Sequence, residues 1–529
     1  MKYFLPLIMI FSVSAMAGPM QNVNKVSYNL DNYLGQNMSE PTVNIWIYFV
    51  DKNISDMESE LTRIENSLST KTKLRRNKTR SSSIVDIRDI PVSEIYISDV
   101  LDIGGELRTT SKWLNAISVS VQPDIINELA ELSFIDKIDL VFRGKRIEAE
   151  TTADLDIQQN SNTRTEYGES FGQLDQINAI AAHDAGYKGQ GVLVLMLDTG
   201  YYKDHEAMPG ERIIAEWDFI NNDGETQNEP TDPESSHNHG TYTTSTLGGA
   251  FDGQLYGPAY EAEFLLAKTE DVSQEEPIEE DWYVAGLEWG ELLGADVASS
   301  SLGYIDWYTP EDLDGETAVT TIAVTIAIEN GMTVATAAGN YGENGIIAPA
   351  DAFDVITCGA VNVNGEIAGF SSHGPTADGR IKPDVCAQGV NTYCANIDDS
   401  SSYRTANGTS LSTPLIGGAV AVILSARPNW TPYMIREALM MTADNVDNPD
   451  NQYGWGVIDI MAAIDYFSVS GDVNNDAVLD VLDLVLIVNY ILGPEIPTDE
   501  QLTTADVNND GILDVIDLVQ LVAIIIGEA

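Results

Sequence analysis

The sequence predicts an α/β protein whose main domain is a doubly wound, mostly parallel sheet with helices on both faces. From about Gly172, apolar runs that suit strands alternate with stretches of helical periodicity, which is typical of βαβ units. The run from Gly191 to Leu197 is continuously apolar, as expected of a central strand that is covered on both faces. Similar runs end near Lys268, Ser301 and Ala338. Helices are predicted at residues 281–293, 317–330, 411–426 and 432–442.

The amino terminus has the pattern of a signal peptide over residues 1–17. Lys2 is followed by an apolar run from Tyr3 to Val13, and Ala15-Met16-Ala17 supplies a small-x-small cleavage site. The apolar run is too short to span a bilayer as a helix, and no later segment is expected to reach the length of a transmembrane helix. We therefore expect a secreted protein, free outside the cell or held at its surface or in a complex. No membrane insertion is expected after the signal is removed.

The net charge of −55 falls almost entirely on the carboxyl-terminal part of the chain. Residues 1–150 contain 17 Lys and Arg against 20 Asp and Glu, whereas residues 151–529 contain 10 against 62. A surface this acidic argues against nucleic acid and anionic membranes as partners. It suits salty or calcium-containing water, where bound cations reduce self-repulsion, and solubility alone explains it equally well.

Residues 41–147 are predicted to form a small α+β unit. The predicted elements are strands at 43–50, 116–121 and 135–141 and a helix at 123–132. The Ser/Thr-rich, basic segment 66–83 is predicted to be a loop. The composition between Arg143 and Tyr167 is polar and lacks apolar periodicity, so this stretch is predicted to be a linker.

Residues 470–529 contain one motif twice, 34 residues apart. Each copy has oxygen ligands at positions 1, 3, 5, 9 and 12 of a loop, which is the spacing by which one loop wraps a calcium ion. Ala477 stands where position 6 of the first loop usually has glycine, and Gly511 keeps that glycine in the second. An apolar helix is predicted after each loop, at 484–492 and 518–526. The predicted calcium ligands are Asp472, Asn474, Asp476, Asp480 and Asp483 in the first loop and Asp506, Asn508, Asp510, Asp514 and Asp517 in the second.

Three polar residues have the surroundings that nucleophilic catalysis requires. Asp198 directly follows the first apolar strand, His239 precedes a helix of small residues, and Ser410 follows a glycine turn at a helix start. A serine hydroxyl is a weak nucleophile until an adjacent base takes its proton. The imidazole in turn needs a buried carboxylate that fixes its tautomer and stabilises its cation. The helix start beside Ser410 adds backbone N–H groups that stabilise developing negative charge.

Together and in this order, the motifs Asp198-Thr199-Gly200, His239-Gly240-Thr241 and Gly408-Thr409-Ser410 resemble those of the subtilisin-like serine peptidases. The resemblance covers roughly residues 170–466. Further matching segments are Gly257-Pro258-Ala259, Ser301-Leu302-Gly303, Ala338-Gly339-Asn340, Phe370-Ser371-Ser372 and Lys382-Pro383-Asp384.

The resemblance implies a peptidase domain at 165–466 and a serine endopeptidase that works through an acyl-enzyme. Asp198, His239 and Ser410 would be its catalytic triad, with no cofactor for catalysis. The resemblance also implies that the side-chain amide of Asn340 donates to the oxyanion, and an asparagine that merely shapes a turn is the alternative.

His237 is the rival of His239 for the role of the base. The family pattern requires Gly-Thr after the histidine, and only His239 has it. His237 is therefore expected to be a loop side chain.

The two flanking units carry resemblances of their own. Residues 41–147 resemble the inhibitor-like propeptide of the same family, which implies a zymogen and self-cleavage within 143–167. Its near-neutral charge suits a basic-patched partner of the acidic remainder, and a permanent accessory domain is the alternative. Residues 470–529 resemble a dockerin, which implies structural calcium and a cohesin-like scaffold protein as partner. A calcium-stabilised module without a scaffold partner is the alternative there.

For the whole chain, the alternative to a peptidase acting on proteins or peptides is a catalytically silent binding protein on the same fold. The three cysteines do not decide between these functions. Cys358 is predicted to be a small core residue. Cys386 and Cys394 flank a turn and either pair as a hairpin disulfide or stay as buried free thiols.

Overall fold

The structure is a computed structural model, and it describes most of the chain. The described residues are 25–36, 41–141, 143–144, 166–272, 278–305, 308–467, 470–476, 478–493, 496–508 and 511–526. The predicted signal peptide and nearly all of the predicted linker lie outside these ranges.

The amino-terminal unit contains an antiparallel four-stranded sheet in the order β2-β3-β1-β4, so the predicted α+β class is confirmed. The strands predicted at 43–50, 116–121 and 135–141 are all present. The elements of this unit are α1 (Tyr28–Gln36), β1 (Val43–Phe49), α2 (Met57–Ser67), α3 (Thr70–Asn77), α4 (Glu94–Ile103), β2 (Glu106–Ser111), β3 (Ala116–Val121), α5 (Ile126–Glu131), β4 (Ile135–Leu140) and β5 (Arg143–Gly144).

The prediction of a loop over 66–83 is wrong for residues 70–77, which form the helix α3. Ser69 is its N-cap, and the Ser69 hydroxyl accepts a hydrogen bond from the backbone N–H of Thr72 at 3.0 Å. Arg75 and Arg76 are completely buried on this helix. Since its buried side chains are charged rather than apolar, hydrophobic periodicity gives no sign of it.

The central domain contains parallel strands and α-helices, as predicted, together with short antiparallel strand pairs. Its elements are α6 (Phe171–Gln176), α7 (Ala179–Asp184), β6 (Leu193–Asp198), β7 (Ile213–Asp218), α8 (Asn238–Gly248), β8 (Ala250–Phe251), β9 (Leu255–Tyr256), β10 (Glu263–Lys268), β11 (Ile278–Glu279), α9 (Glu280–Leu293), β12 (Val297–Ser300), α10 (Val319–Glu329), β13 (Thr333–Ala337), β14 (Ile356–Val361), β15 (Val385–Gln388), β16 (Thr392–Ala395), β17 (Tyr403–Ala406), α11 (Thr409–Ala426), α12 (Pro432–Met441) and α13 (Ile460–Asp465).

Seven parallel strands of the described chain form the main sheet, in the order β15-β14-β13-β12-β6-β10-β7. The chain adds strands on one side of β6 and then continues on the other side with β12. This reversal makes the carboxyl ends of β6 and β12 a topological switch point, which is where open α/β sheets bind ligands. The predicted doubly wound fold is therefore confirmed.

The two faces of the sheet are packed against different cores. On β6, Leu193, Leu195 and Leu197 belong to a core that α9 and α10 also line. Val194 and Met196 belong to the opposite core, which α11 lines. The first of these cores continues into the amino-terminal unit, whose buried side chains are part of the same cluster. The amino-terminal unit therefore covers one side of the central domain.

One helix, α11, is long and apolar enough to cross a membrane by length and composition. The expectation that no later segment reaches this length is therefore wrong for α11. The helix packs inside the domain, where 94% of it is buried, and it lies against strands β12 to β15. It has the composition of a core helix because it is surrounded by protein on all sides.

The tail is a small helical unit with its own core. Its helices are α14 (Val481–Leu492), α15 (Asp499–Ala505) and α16 (Val515–Ile525). Both predicted helices are present and begin about one turn earlier than predicted, while α15 was not predicted. Its buried apolar side chains are Val473, Ile487, Ala505, Val507 and Leu521.

All three cysteines are buried free thiols. Cys358 lies on the core strand β14, as predicted. Cys386 and Cys394 lie on different strands, and their sulfurs face the carbonyl oxygens of Tyr453 and Arg404 respectively. The structure thus favours the free thiols over the hairpin disulfide.

We expect Leu195→Ala to lower the free energy of unfolding by about 2–5 kcal/mol, because it removes a fully buried side chain from the central strand. Leu292→Ala is the matched control, since that side chain is 48% exposed on α9. Denaturant titration of both variants measures the difference. Equal effects would contradict the placement of β6 in the core.

Candidate functional site

The carboxylate of Asp198 lies at the carboxyl end of the central strand β6 and is completely buried. The chain turns sharply after it at Gly200, whose φ of 139° disfavours any other residue. The backbone N–H of Thr199 donates to Oδ1 of Asp198 at 2.8 Å. The turn therefore holds the carboxylate in place at the end of the sheet.

His239 occupies the first turn of α8, and its two following residues explain why this position can hold the imidazole. A side chain at Gly240 would collide with the carbonyl oxygen of Gly200. The hydroxyl of Thr241 accepts a hydrogen bond from the backbone N–H of Tyr202 at 2.8 Å. Glycine and threonine together let α8 pack directly on the turn that follows Asp198.

The imidazole and the carboxylate are in direct contact. Nδ1 of His239 lies 2.7 Å from Oδ1 of Asp198, and both side chains are buried. The hydroxyl of Thr243, one turn further along α8, donates to Oδ2 of Asp198 at 2.9 Å. Sequence reasoning missed Thr243, although its i+4 spacing from His239 puts both on one helix face.

Ser410 lies in the first turn of α11, directly after the glycine turn that the sequence predicted. Gly408 is the N-cap residue and has a φ of 147°. The carbonyl oxygen of Ser410 accepts a hydrogen bond from the hydroxyl of Ser301 at 2.9 Å. Ser301 directly follows β12, so this contact ties the helix start to the switch point of the sheet.

Two reactive atoms of this group have no hydrogen-bond partner among the described residues. They are Oγ of Ser410 and Nε2 of His239, and both are buried. The Asp-His contact is thus formed, whereas the His-Ser hydrogen bond is not. Such bonds are often loose before substrate binds. A buried hydroxyl and a buried imidazole nitrogen without partners are the groups that a reacting acyl group would engage.

Asn340 follows β13, and its side chain is fixed by the residue before Ser410. Oδ1 of Asn340 accepts from both the backbone N–H and the hydroxyl of Thr409, each at 2.9 Å. This orients the amide relative to the helix start of α11. Thr409 is a second residue that sequence reasoning missed.

Three of the other four histidines lie in surroundings that do not include Asp198. Burial lowers the pKa of His183 to about 4, and its ring contacts the hydroxyl of Tyr167 and the carbonyl of Pro258. His205 lies against the carbonyl of Ser402 at 2.7 Å. His237 precedes α8 as its N-cap residue, and Nδ1 of that ring has no partner in the described chain. Asp198 contacts His239 and not its rival.

The loops of the tail contain oxygen atoms suited to calcium. Asp483 is completely buried, and its carboxylate accepts hydrogen bonds from the backbone N–H groups of Val473, Asn474 and Asp480. Burial raises the pKa of Asp483, and the charge of Asp476 raises it further. A cation would relieve this repulsion, so the donor set fits calcium.

The tail residues are not assembled into a complete ligand sphere. Among the described residues, no three His, Cys, Asp or Glu side chains are gathered closely enough to hold a metal ion. Several loop oxygens are instead engaged by groups within the loop, such as Oδ1 of Asp472 by the N–H of Asp476. Asp510 lies outside the described residues. Asp506, Asn508, Asp514 and Asp517 repeat the arrangement, since Asp517 again accepts from Asn508 and Asp514.

Three family models match the chain. The model of the Subtilase family matches residues 189–456, that of the Peptidase S8 propeptide domain of Bacteroidota matches 44–160, and that of the Dockerin type I domain matches 470–525.

Known proteins and a solved structure are similar to more than half of this chain. Subtilisin E of Bacillus subtilis is 28% identical over 368 residues, which are 68% of this chain and 83% of that protein. The subtilisin of Bacillus pumilus is 31% identical over 296 residues, which are 55% of this chain and 97% of that protein. A solved structure with a similar fold is fervidolysin from Fervidobacterium pennivorans, a keratinolytic enzyme related to subtilisin. Its TM-score is 0.59 at 21% identity, and the match covers 80% of this chain and 61% of that one.

We expect His239→Gln to lower kcat for a chromogenic peptide amide by about 10⁴-fold or more, because the serine loses its base. His237→Gln is the matched control two residues away and should retain activity of the wild-type order. Steady-state kinetics of the two variants checks this. A larger loss in His237→Gln than in His239→Gln would reverse the assignment of the base.

Proposed function

The chain belongs to the subtilase family of serine peptidases, and we propose from this that it is a secreted, zymogen-type endopeptidase with Asp198, His239 and Ser410 as its catalytic triad. The chain is a subtilisin-type serine peptidase with a propeptide domain and a type I dockerin domain. The single observation that best supports the triad is the 2.7 Å contact between His239 and the buried Asp198, beside a buried Ser410 hydroxyl.

In the proposed reaction, Oγ of Ser410 attacks the carbonyl carbon of the scissile peptide bond, and Nε2 of His239 accepts the hydroxyl proton. Asp198 holds Nδ1 and stabilises the imidazolium that forms. His239 then donates the proton to the leaving amine, which leaves an acyl-enzyme on Ser410. Water deacylates it by the same two steps, so that the serine and the neutral imidazole are restored.

Asn340 is proposed to donate its side-chain amide to the oxyanion of the tetrahedral intermediate. The two hydrogen bonds from Thr409 to Oδ1 of Asn340 support this role, because they fix the orientation of the amide before substrate binds. Preorganised donors of this kind act where charge develops, and losing one typically costs about 10²–10³ in kcat.

The amino-terminal unit is proposed to be removed by self-cleavage within 143–167. It packs on α9, where Arg108 lies 2.9 Å from Asp281 and the hydroxyl of Ser111 donates to Glu288 at 2.5 Å. Its last described strand, β5, pairs antiparallel with β11, so the chain lies on the peptidase domain at the start of the proposed cleavage region. This geometry supports a propeptide that is cut in place. A permanent accessory domain would pack in the same way, so the maturation test below separates the two.

The tail is proposed to bind a cohesin-like partner in the presence of calcium. Exposed apolar side chains follow both loops on α14 and α16, among them Val481 and Val515, each 62% exposed. An exposed apolar surface of this kind marks an interaction site, which supports docking over an isolated calcium-stabilised module. The proposed ligands are the ten loop residues predicted from the sequence.

Extracellular location is proposed from three observations that point the same way. They are the signal-like residues 1–17, the subtilisin relatives and the dockerin domain. The acidic composition agrees with this location because cations of the medium screen it.

We expect Ser410→Ala to accumulate as an uncut precursor that a fluorophosphonate probe does not label, because the nucleophile is missing. The wild-type chain should mature and be labelled at Ser410. Ser412→Ala, on the same helix turn, is the matched control and should mature. Mass spectrometry measures the new amino terminus and the labelled residue. Maturation of purified Ser410→Ala would contradict self-cleavage, and an unlabelled mature wild type would favour the silent binding protein.

We expect chelation of calcium to unfold the tail, because the loop carboxylates repel one another without a cation. Hydrogen exchange of the full Ser410→Ala chain should rise over 470–526 in EGTA and return with added calcium. Asp483→Asn with Asp517→Asn should exchange fast even with calcium, whereas Asp447→Asn, outside the loops, should not. Exchange over 470–526 that ignores EGTA would contradict the calcium loops.

A further inference from the structure

Two adjacent arginines of the amino-terminal unit are buried inside the peptidase domain. Arg75 and Arg76 on α3 are 1% and 0% exposed. Buried charges persist only where they are paired and hydrogen-bonded. The groups that pair with the two arginines therefore identify the site that binds them. Those partners lie largely on the peptidase domain.

Arg75 is bound mainly by backbone carbonyls. Its guanidinium donates to the carbonyl oxygens of Glu291, Ala295 and Asn330, at 3.0, 2.6 and 3.1 Å, and also to the carboxylate of Glu291. Arg76 donates hydrogen bonds to both oxygens of the same carboxylate, at 2.8 and 2.7 Å, and also donates to Asp89 of its own unit. Glu291 therefore binds two guanidinium groups at once.

The carbonyl oxygens that accept hydrogen bonds from α3 lie at the carboxyl-terminal ends of α9 and α10. The hydroxyls of Thr72 and Thr79 complete the contact by donating to Leu292 and Glu329, at 3.2 and 2.8 Å. The last carbonyls of a helix have no partner within the helix, and they attract cations. A helix with two arginines thus caps two neighbouring helices of the peptidase domain.

This contact lies at the amino-terminal ends of the parallel strands, and the proposed catalytic residues lie at their carboxyl-terminal ends. Ala295 and Asn330 lie just before β12 and β13, whereas Ser301 and Asn340 lie just after them. The five residue steps from Asp296 to Ser301, at about 3.3 Å each, separate the two ends of β12 by roughly 16 Å. Binding of α3 at one end of the strands therefore does not block the candidate active site at the other end.

We propose that the peptidase domain carries a second binding site, built by Glu291 and the ends of α9 and α10, that accepts an arginine pair presented on a helix. Its occupant is α3 of the amino-terminal unit, and this inference rests on the proposed zymogen function. After cleavage the site still holds α3. The propeptide then leaves in two stages, its cut carboxyl-terminal end first and α3 second.

The consequence is inhibition that depends on residues far from Ser410. While α3 remains bound, the cut carboxyl-terminal end of the propeptide stays tethered to the peptidase domain, so its high effective concentration favours rebinding. The neighbouring pairs Lys71–Asp296, at 3.0 Å, and Arg88–Glu329, at 2.5 Å, extend the same contact with partly exposed charges. Glu291 is the centre of the contact, because its carboxylate pairs with both Arg75 and Arg76.

The test follows release of the cleaved propeptide from the full chain after dilution, by native gel and by the onset of peptide hydrolysis. Glu291→Gln should release it at least about 100-fold faster, since removing one member of a buried pair is strongly destabilising. Glu261→Gln is the matched control, because Glu261 pairs with Lys188 within the peptidase domain. An uncut chain on amino-terminal sequencing would contradict the zymogen proposal. A Glu291→Gln chain that is cut but releases its propeptide at the wild-type rate would overturn the proposal of a second site.

A second measurement leaves the peptidase domain unchanged, in case Glu291→Gln does not fold. The full chain with Arg75→Gln and Arg76→Gln should release its cut propeptide at least about 100-fold faster than the wild type, because the same buried pairs are lost from the other side. Arg63→Gln is the control, since Arg63 pairs with Glu60 within the amino-terminal unit, and it should release at the wild-type rate. A cut Arg75→Gln, Arg76→Gln chain that releases at the wild-type rate would overturn the proposal.

Discussion

The buried carboxylate of Asp198 is the constraint around which the central domain is arranged. A charge at the end of a strand covered on both faces is costly unless hydrogen bonds satisfy it, and two elements supply them. The turn at Thr199 and the helix α8, through His239 and Thr243, converge on its two oxygens. The close packing of α8 requires Gly240. The helix α11, tied to Ser301, then places Ser410 at the same edge.

Hydrophobic patterning predicted the parts of the fold whose stability comes from apolar burial. The strands β6, β10, β12 and β13 are short apolar runs, and the four helices whose bounds were predicted in the central domain lie within about two residues of those bounds. The patterning failed where charged or polar side chains make the contacts. The helix α3 packs through Arg75 and Arg76, and β2 has the polar sequence Glu106–Ser111. Their partners are distant in sequence, so no local pattern reports them.

The candidate site was predictable to the level of the reacting groups but not of the residues that hold them. Motif context distinguished His239 from His237, and the geometry of Gly240 and Thr241 gives that preference a physical reason. Thr243 and Thr409 act through contacts with Asp198 and Asn340 that appear only when the helices are assembled. The tail ligands remain a prediction, since spacing along a loop specifies which oxygens are available and not how they are arranged around an ion.

The buried thiols have a consequence for where such a protein can persist. Burial raises the pKa of Cys394 to about 12 and those of Cys358 and Cys386 further, so thiolate is scarce at neutral pH and exchange with outside disulfides is slow. The fold has no covalent crosslink that a reductant could cut. Its durability is therefore independent of the redox potential of the medium, and anoxic surroundings are as permissive as aerated ones.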